Sequence, residues 1–265
     1  MISFFLLVLS LAHAEDRPSS LGFDSGGGSE NYSSFGVNGR LGLDDVWQLQ
    51  ARGAAAKSGG DRSKYLNFGP NLQIGSDWNL VFLLQGSWEP NNVKSIGLAP
   101  GVNFLLSSLW DAERETNLFV GNEYNRYSNP RFLQRAYHFE LAQEIVKTLE
   151  ARANASFYQY NTPESTIRAA ITRRTQATLN NSLVFGMPRD NFGLGLNWQA
   201  NRYLDFGVEG SRSRSVDFEP RTRTLGGEVG LSIDYLPRIS FNYSRSRTEG
   251  YGEENFYGFG FGLTL

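Results

Sequence analysis

His138 is the only histidine beyond residue 13, and it stands in R-A-Y-H-F-E-L-A-Q-E with Glu140 two positions on. Two residues apart, an imidazole and a carboxylate share a face only on a β-strand, where they could act as a general base and the group that orients it. The second pattern with chemical meaning is cationic. In E-G-S-R-S-R-S-V-D-F-E-P-R-T-R-T, Glu209 to Thr224, arginine takes every second position, stops at a turn and resumes; Arg245 and Arg247 repeat the spacing. Guanidinium groups at period two line one side of a strand and present forks that match phosphate. A solvated helix face would repeat every three or four residues instead. The chain has no cysteine, and neither a metal nor a cofactor is expected.

Composition decides what must hold these groups. A net charge of −2 over 265 residues excludes a basic nucleic-acid-binding domain. Residues 1–14 carry an apolar run from Ile2 to Leu11 followed by Ala12-His13-Ala14, the small-x-small pattern of a signal-peptidase site. The run is too short to span a bilayer, so it reads as a cleavable signal peptide, 1–14, ahead of a mature domain, 15–265. Beyond it no apolar stretch approaches the ~18 residues of a membrane helix. Instead the chain holds 29 glycines and 14% aromatics, in short segments of alternating polarity separated by Asn, Asp, Gly, Ser and Pro clusters. These features define an all-β chain.

The alternation has a consistent sense. Leu225, Val229, Leu231, Ile233 and Tyr235 share one side, against Thr224, Glu228, Ser232 and Asp234. Leu204, Phe206 and Val208, then Phe192, Leu194, Leu196 and Trp198, then Leu80, Phe82 and Leu84 behave alike. The last strand, E-N-F-Y-G-F-G-F-G-L-T-L, sets Tyr257, Phe259, Phe261, Leu263 and Leu265 against Gly258, Gly260, Gly262 and Thr264. Large apolar side chains backed by bare glycine suit a lipid face over a crowded or water-filled lumen. The stretch resembles the C-terminal signal of bacterial outer-membrane β-barrels, with Leu265 where that family usually ends in Phe. The resemblance implies insertion into the outer membrane by the barrel-assembly machinery. It is a porin-like likeness at the level of architecture, with no specific family motif.

Seven polar breaks, at 43–45, 76–78, 110–112, 147–149, 179–181, 200–202 and 235–237, read as periplasmic turns. With both chain ends on that side they predict a single transmembrane antiparallel up-and-down β-barrel of about 16 strands. The number falls to 14 if the weakly alternating stretches 167–178 and 182–189 stay out of the wall. Connections at the other end, such as 89–92, 160–165 and 248–253, read as short loops, so no plug and no constriction loop is expected. Pro70 and Pro100 fall inside strands and predict β-bulges.

Parity then sorts the charges. Arg126, Arg189, Arg212, Arg214, Arg221, Arg223, Arg245 and Arg247 take the lipid side, at the strand ends away from those turns. A charge there costs about 0–1 kcal/mol, and in an outer leaflet it meets lipopolysaccharide phosphates, which these residues are expected to face. Trp47, Trp78 and Trp198, beside the turns, form the aromatic belt of the opposite interface. Lumen parity holds Arg40, Arg52, Arg152, Arg168 and Arg174 together with Glu115, Glu123, His138, Glu140, Glu144, Asp205, Glu209, Glu228 and Asp234. Such charges either set a field across a pore or pair locally and hydrate it. Small residues on the outward parity, Ala51, Gly53 and Ala55 and again Ala151, Ala153 and Ala155, point to contact with another copy or a partner protein.

The function expected from this pattern is passive diffusion of small polar solutes or ions through an outer-membrane channel. Two other readings are an exopolysaccharide export barrel, whose lumen aromatics would be Tyr65, Phe119, Tyr158, Tyr160 and Phe256, and a structural barrel working in an oligomer. Catalysis is not expected, because His138 points inward, away from lipid substrates, and the sequence identifies no serine partner.

Overall fold

The structure, a computed structural model, describes residues 19–58, 61–89, 92–107, 114–129, 131–163, 176–177, 183–184, 188–216, 221–232, 237–250 and 252–264. Alternating segments become strands in chain order: β1 Ser20–Gly28, β2 Tyr32–Gly42, β3 Trp47–Ser58, β4 Asp61–Ile74, β5 Trp78–Trp88, β6 Lys94–Ser107, β7 Glu115–Ser128 and β8 Arg131–Val146. They continue as β9 Leu149–Tyr160, β10 Gln176–Ala177, β11 Leu183–Val184, β12 Pro188–Gln199, β13 Leu204–Ser215, β14 Arg221–Leu231, β15 Arg238–Thr248 and β16 Gly252–Thr264. All but β10 and β11 close into one antiparallel barrel of 14 strands. The ring is sealed by β1 against β16, in register from Ser20↔Thr264 to Gly28↔Phe256.

The lower of the two predicted strand numbers is therefore the right one. The stretches 167–178 and 182–189 lack the sustained alternation that gives a strand separate inner and outer faces; of their described residues, Gln176–Ala177 and Leu183–Val184 stand apart from the wall, and Pro188 and Arg189 begin β12. In their place β10 and β11 pair as a small hairpin inside the connection 161–187. The break at 179–181 lies outside the described residues. The expectation of short loops fails at the same place. β10 lies against β3 and β4, five to seven strands away around the ring from β9 and β12.

The predicted bulges are also absent. Phe68↔Leu84 and Asn71↔Val81 keep one register on either side of Gly69-Pro70, and Leu98↔Tyr124 and Gly101↔Gly121 do so around Ala99-Pro100. Each proline removes ladder bonds without inserting a residue. Gly69 makes this possible on β4, since a Cβ there would lie 1.8 Å from the Phe82 carbonyl oxygen of β5.

The barrel is apolar outside and polar inside. Exposed outward positions include Leu194 at 69%, Ile96 at 67%, Leu225 at 65% and Tyr257 at 63%, whereas buried inward positions include Gln85, Asn125, Gln134, Thr222 and Ser246. Water would strongly disfavour so continuous an apolar surface, so the outer solvent is lipid. Trp47, Trp78 and Trp198 stand exposed beside the turns, and Phe259 faces out on β16. Tyr235, Leu265 and the segment 1–14 lie outside the described residues.

Candidate functional site: the inner wall

On one side of the lumen, inward residues of successive strands fall into a single cross-strand row: Asn67↔Gln85↔Gly97↔Asn125↔Gln134↔Tyr160, from β4 to β9. The row is wired end to end. Asn67 Nδ2 donates to Tyr65 Oη at 3.2 Å, and Tyr65 donates to Gln85 Oε1 at 3.2 Å. Gln85 Nε2 donates to Asn125 Oδ1 at 2.8 Å, and Asn125 Nδ2 to Gln134 Oε1 at 3.0 Å. Gln134 Nε2 then donates to Tyr160 Oη at 2.8 Å, and Tyr160 to the Pro188 carbonyl of β12 at 2.6 Å. Period-two carboxamides carry no chemical signature in sequence, and sequence reasoning passed over all of them. The signal that could have found them was the inward parity of Asn67, Gln85, Asn125 and Gln134 in neighbouring strands.

The facing side is built of hydroxyls. The residues that alternate with the arginines, Ser213, Ser215, Thr222, Thr224, Ser244, Ser246 and Thr248, are buried on the inner face. Thr222 and Thr248 hydroxyls meet at 2.9 Å, and Thr224 and Ser246 at 2.8 Å. Cross-strand hydroxyl pairs of this kind stabilise the sheet and keep its inner surface wettable.

The lumen charges are paired locally. Arg238, which sequence reasoning left unassigned, reaches Asp205 at 2.7 Å and Glu228 at 3.1 Å. Arg152 binds Glu150, and Arg52 lies 4.0 Å from Asp24. Glu144 accepts the Glu115 amide at 3.2 Å. Glu140 and Glu209 belong to the inward faces of β8 and β13, and Arg40 to that of β2. No described ion pair includes Arg40. Arg168, Arg174 and Asp234 lie outside the described residues. These contacts match local pairing of the lumen charges more closely than a transverse field.

His138 does not pair with Glu140. Its Nδ1 is 2.9 Å from Ser156 Oγ on β9, and its Nε2 is 3.1 Å from Glu123 Oε2 on β7. Glu123 also accepts from Asn125, which ties the histidine into the carboxamide row. The Tyr158 ring stands edge-on at 5.9 Å. A serine, a histidine and a carboxylate thus lie in line across three strands. The aromatics weighed for a sugar path do not form one. Phe119 covers Gly101 and Gly121, and Phe256 packs on Tyr32 at 5.3 Å. Tyr127 and Phe132 stack at 4.4 Å, with Tyr160 against Phe132 at 6.1 Å.

Outside, Arg126, Arg212, Arg221, Arg223, Arg245 and Arg247 occupy exposed positions at the strand ends predicted for them. Arg214 is partly covered by Asp190, its cross-strand partner. Arg189 sits at the register irregularity between Pro188 and Asp190, so the outward position at this end of β12 belongs to Asp190.

No protein-family model and no characterised protein sequence matches the chain. Solved structures do. CymD, described as a monoaromatic hydrocarbon channel, superposes with a TM-score of 0.58 over 96% of this chain and 90% of its own, at 8% identity. OccAB1 of Acinetobacter baumannii gives 0.55 over 95% and 97%, at 8% identity, and OprD of Pseudomonas aeruginosa gives 0.52 over 95% and 96%, at 7%. At such identities the likeness is one of fold. The chain has the architecture of outer-membrane channel barrels.

Proposed function

We propose that the protein is a porin-like channel of the bacterial outer membrane, exported by a cleaved segment 1–14, through which small polar solutes and ions diffuse passively. The carrying observation is the inner wall. A closed ring with an apolar exterior directs carboxamides, hydroxyls and locally paired charges inward from almost every strand. Such groups exchange hydrogen bonds with water and with polar solutes at little cost, while a protein with no passage would be better filled by apolar side chains. Local pairing of the cations leaves inward acids in excess: Glu115, Glu140 and Glu144 against Arg40 in the described strands. The path is therefore mildly cation-attracting.

The spread of the lumen aromatics speaks against a polysaccharide export path, which calls for a continuous stacking track. Single-channel recording of the purified protein in planar bilayers tests the proposal. Discrete conductance steps with weak cation preference are the expected result. Silent bilayers despite proven insertion would overturn it and favour a structural barrel.

A further inference from the structure

The outer wall holds a groove of about 720 Å³, within the ~300–1,000 Å³ typical of ligand pockets. Ala153 and Ala155 on β9 make a low strip, with Phe139 of β8 on one side and Phe192 and Leu194 of β12 on the other; Gly210 on β13 lies beyond Leu194, its cross-strand partner. At its β13–β14 end it is lined by Arg212 and Arg223.

These two arginines are direct cross-strand partners, and Arg223 is in turn opposite Arg247. Like charges in that position repel and weaken a sheet. Among the described residues, acids serve only the flanks of the block. Asp190 holds Arg214 through Nε at 2.8 Å, and Glu253 holds Arg245 and stands opposite Arg247. Among the described residues neither Arg212 nor Arg223 has an acidic partner. Among the described residues the block therefore has no anion at the place where it meets an apolar trough.

We propose that this groove is a binding site for one lipopolysaccharide molecule, with a lipid A phosphate between Arg212 and Arg223 and an acyl chain laid over Ala153 and Ala155, between Phe139 and Phe192. Two guanidinium forks side by side match the oxygens of a phosphate. The trough beneath them matches a flexible hydrocarbon, and its small residues let the chain approach the strand backbone. The arginines stand at the end of the barrel that carries the 161–187 connection. In outer-membrane barrels the longer loops are extracellular, which places the block in the leaflet made of lipopolysaccharide and not of glycerophospholipid. The site assigns Ala153 and Ala155 to lipid instead of a second copy of the chain. It is independent of whether the barrel conducts.

Native mass spectrometry of the detergent-purified barrel tests this, with hexa-acylated lipid A, its dephosphorylated form and phosphatidylglycerol added as separate probes. Lipid A is expected to bind at one site, at least tenfold more tightly than either other probe. R212Q/R223Q should weaken it tenfold or more, and A153F, which fills the trough, should weaken it while leaving both arginines in place. R126Q, elsewhere on the rim, should change nothing. If the glutamine pair fails to insert, R212K/R223K keeps the charge without the fork and should still lose several-fold. Undiminished lipid A binding in either double variant would overturn the site. Equal binding of phosphatidylglycerol would overturn its assignment to lipopolysaccharide, and a dimer abolished by A153F would return the groove to a protein partner.

Discussion

Gln85 on β5 donates to Asn125 on β7 at 2.8 Å although β6 runs between them, and the two amides meet directly over Gly97. A Cβ at residue 97 would lie 2.0 Å from Asn125 Oδ1 and 2.4 Å from the Tyr124 carbonyl oxygen. Glycine at this one inward position lets the hydrogen-bonded row cross a strand without interruption. Both amides are buried, and Gln85 Nε2 and Asn125 Oδ1 satisfy each other.

Gly97→Val should therefore cut the row in two. The buried Gln85 donor and Asn125 acceptor, left without each other, cost about 1–3 kcal/mol each. A lowered urea midpoint for unfolding from lipid vesicles, followed by tryptophan fluorescence, is the expected outcome. A midpoint equal to that of the parent protein would show that the row contributes nothing to stability.

His138→Ala removes the bridge between Ser156 and Glu123 and should destabilise the barrel by a similar ~1–3 kcal/mol while leaving conductance nearly unchanged. The serine–histidine–carboxylate line also permits a direct check on chemistry. The parent protein is expected not to hydrolyse a short-chain nitrophenyl ester. Hydrolysis that disappears in Ser156→Ala would mean the histidine is catalytic and not a structural brace.

The acid excess of the inner wall should give a reversal potential of the cation-selective sign across a gradient from 0.1 M to 0.01 M salt. Screening lengths shorten from about 30 Å at 0.01 M to about 3 Å at 1 M, so the preference should fade in concentrated salt. Glu140→Gln with Glu144→Gln should reduce it at low salt. Anion preference in the parent protein would contradict the assignment of these residues to the lumen.

Replacing residues 176–184 with a short Gly-Ser link removes β10 and β11, which belong to the connection that reaches β3 and β4. Single-channel conductance should rise, since that segment no longer lies against β3 and β4. Unchanged conductance would mean that the connection lies clear of the ion path.

Two glycines on neighbouring strands should respond in opposite ways. At Gly69 a Cβ meets the β5 backbone, so Gly69→Ala should impair assembly, read as loss of the heat-modifiable folded band on a gel. At Gly53 the nearest atom to a Cβ is Leu66 Cδ1 at 3.9 Å, so Gly53→Ala should fold normally.

Period two is a property of each segment alone, and it is why the faces could be read from sequence. The Tyr257–Phe259–Phe261–Leu263 side, the outward arginines and the inward Glu123, His138 and Glu228 all follow from counting residues along one strand. The strand number was ambiguous for the same reason, since 167–178 and 182–189 alternate too weakly to show whether they join the wall. What the sequence could not determine is which residue of one strand stands opposite which residue of the next. Register is set by pairing between segments that are distant in the chain, and a shift of two positions preserves every face while exchanging every partner. His138 therefore looked like the partner of Glu140 on its own strand, and only the fold brought it Glu123 and Ser156 from the strands on either side. The same holds for Arg238 with Asp205, for Gln85 with Asn125 across Gly97, and for Arg212 with Arg223. The sequence determined the two solvents the wall separates; the closed ring, by fixing one register for every pair of strands, decided which side chains work together on each side of it.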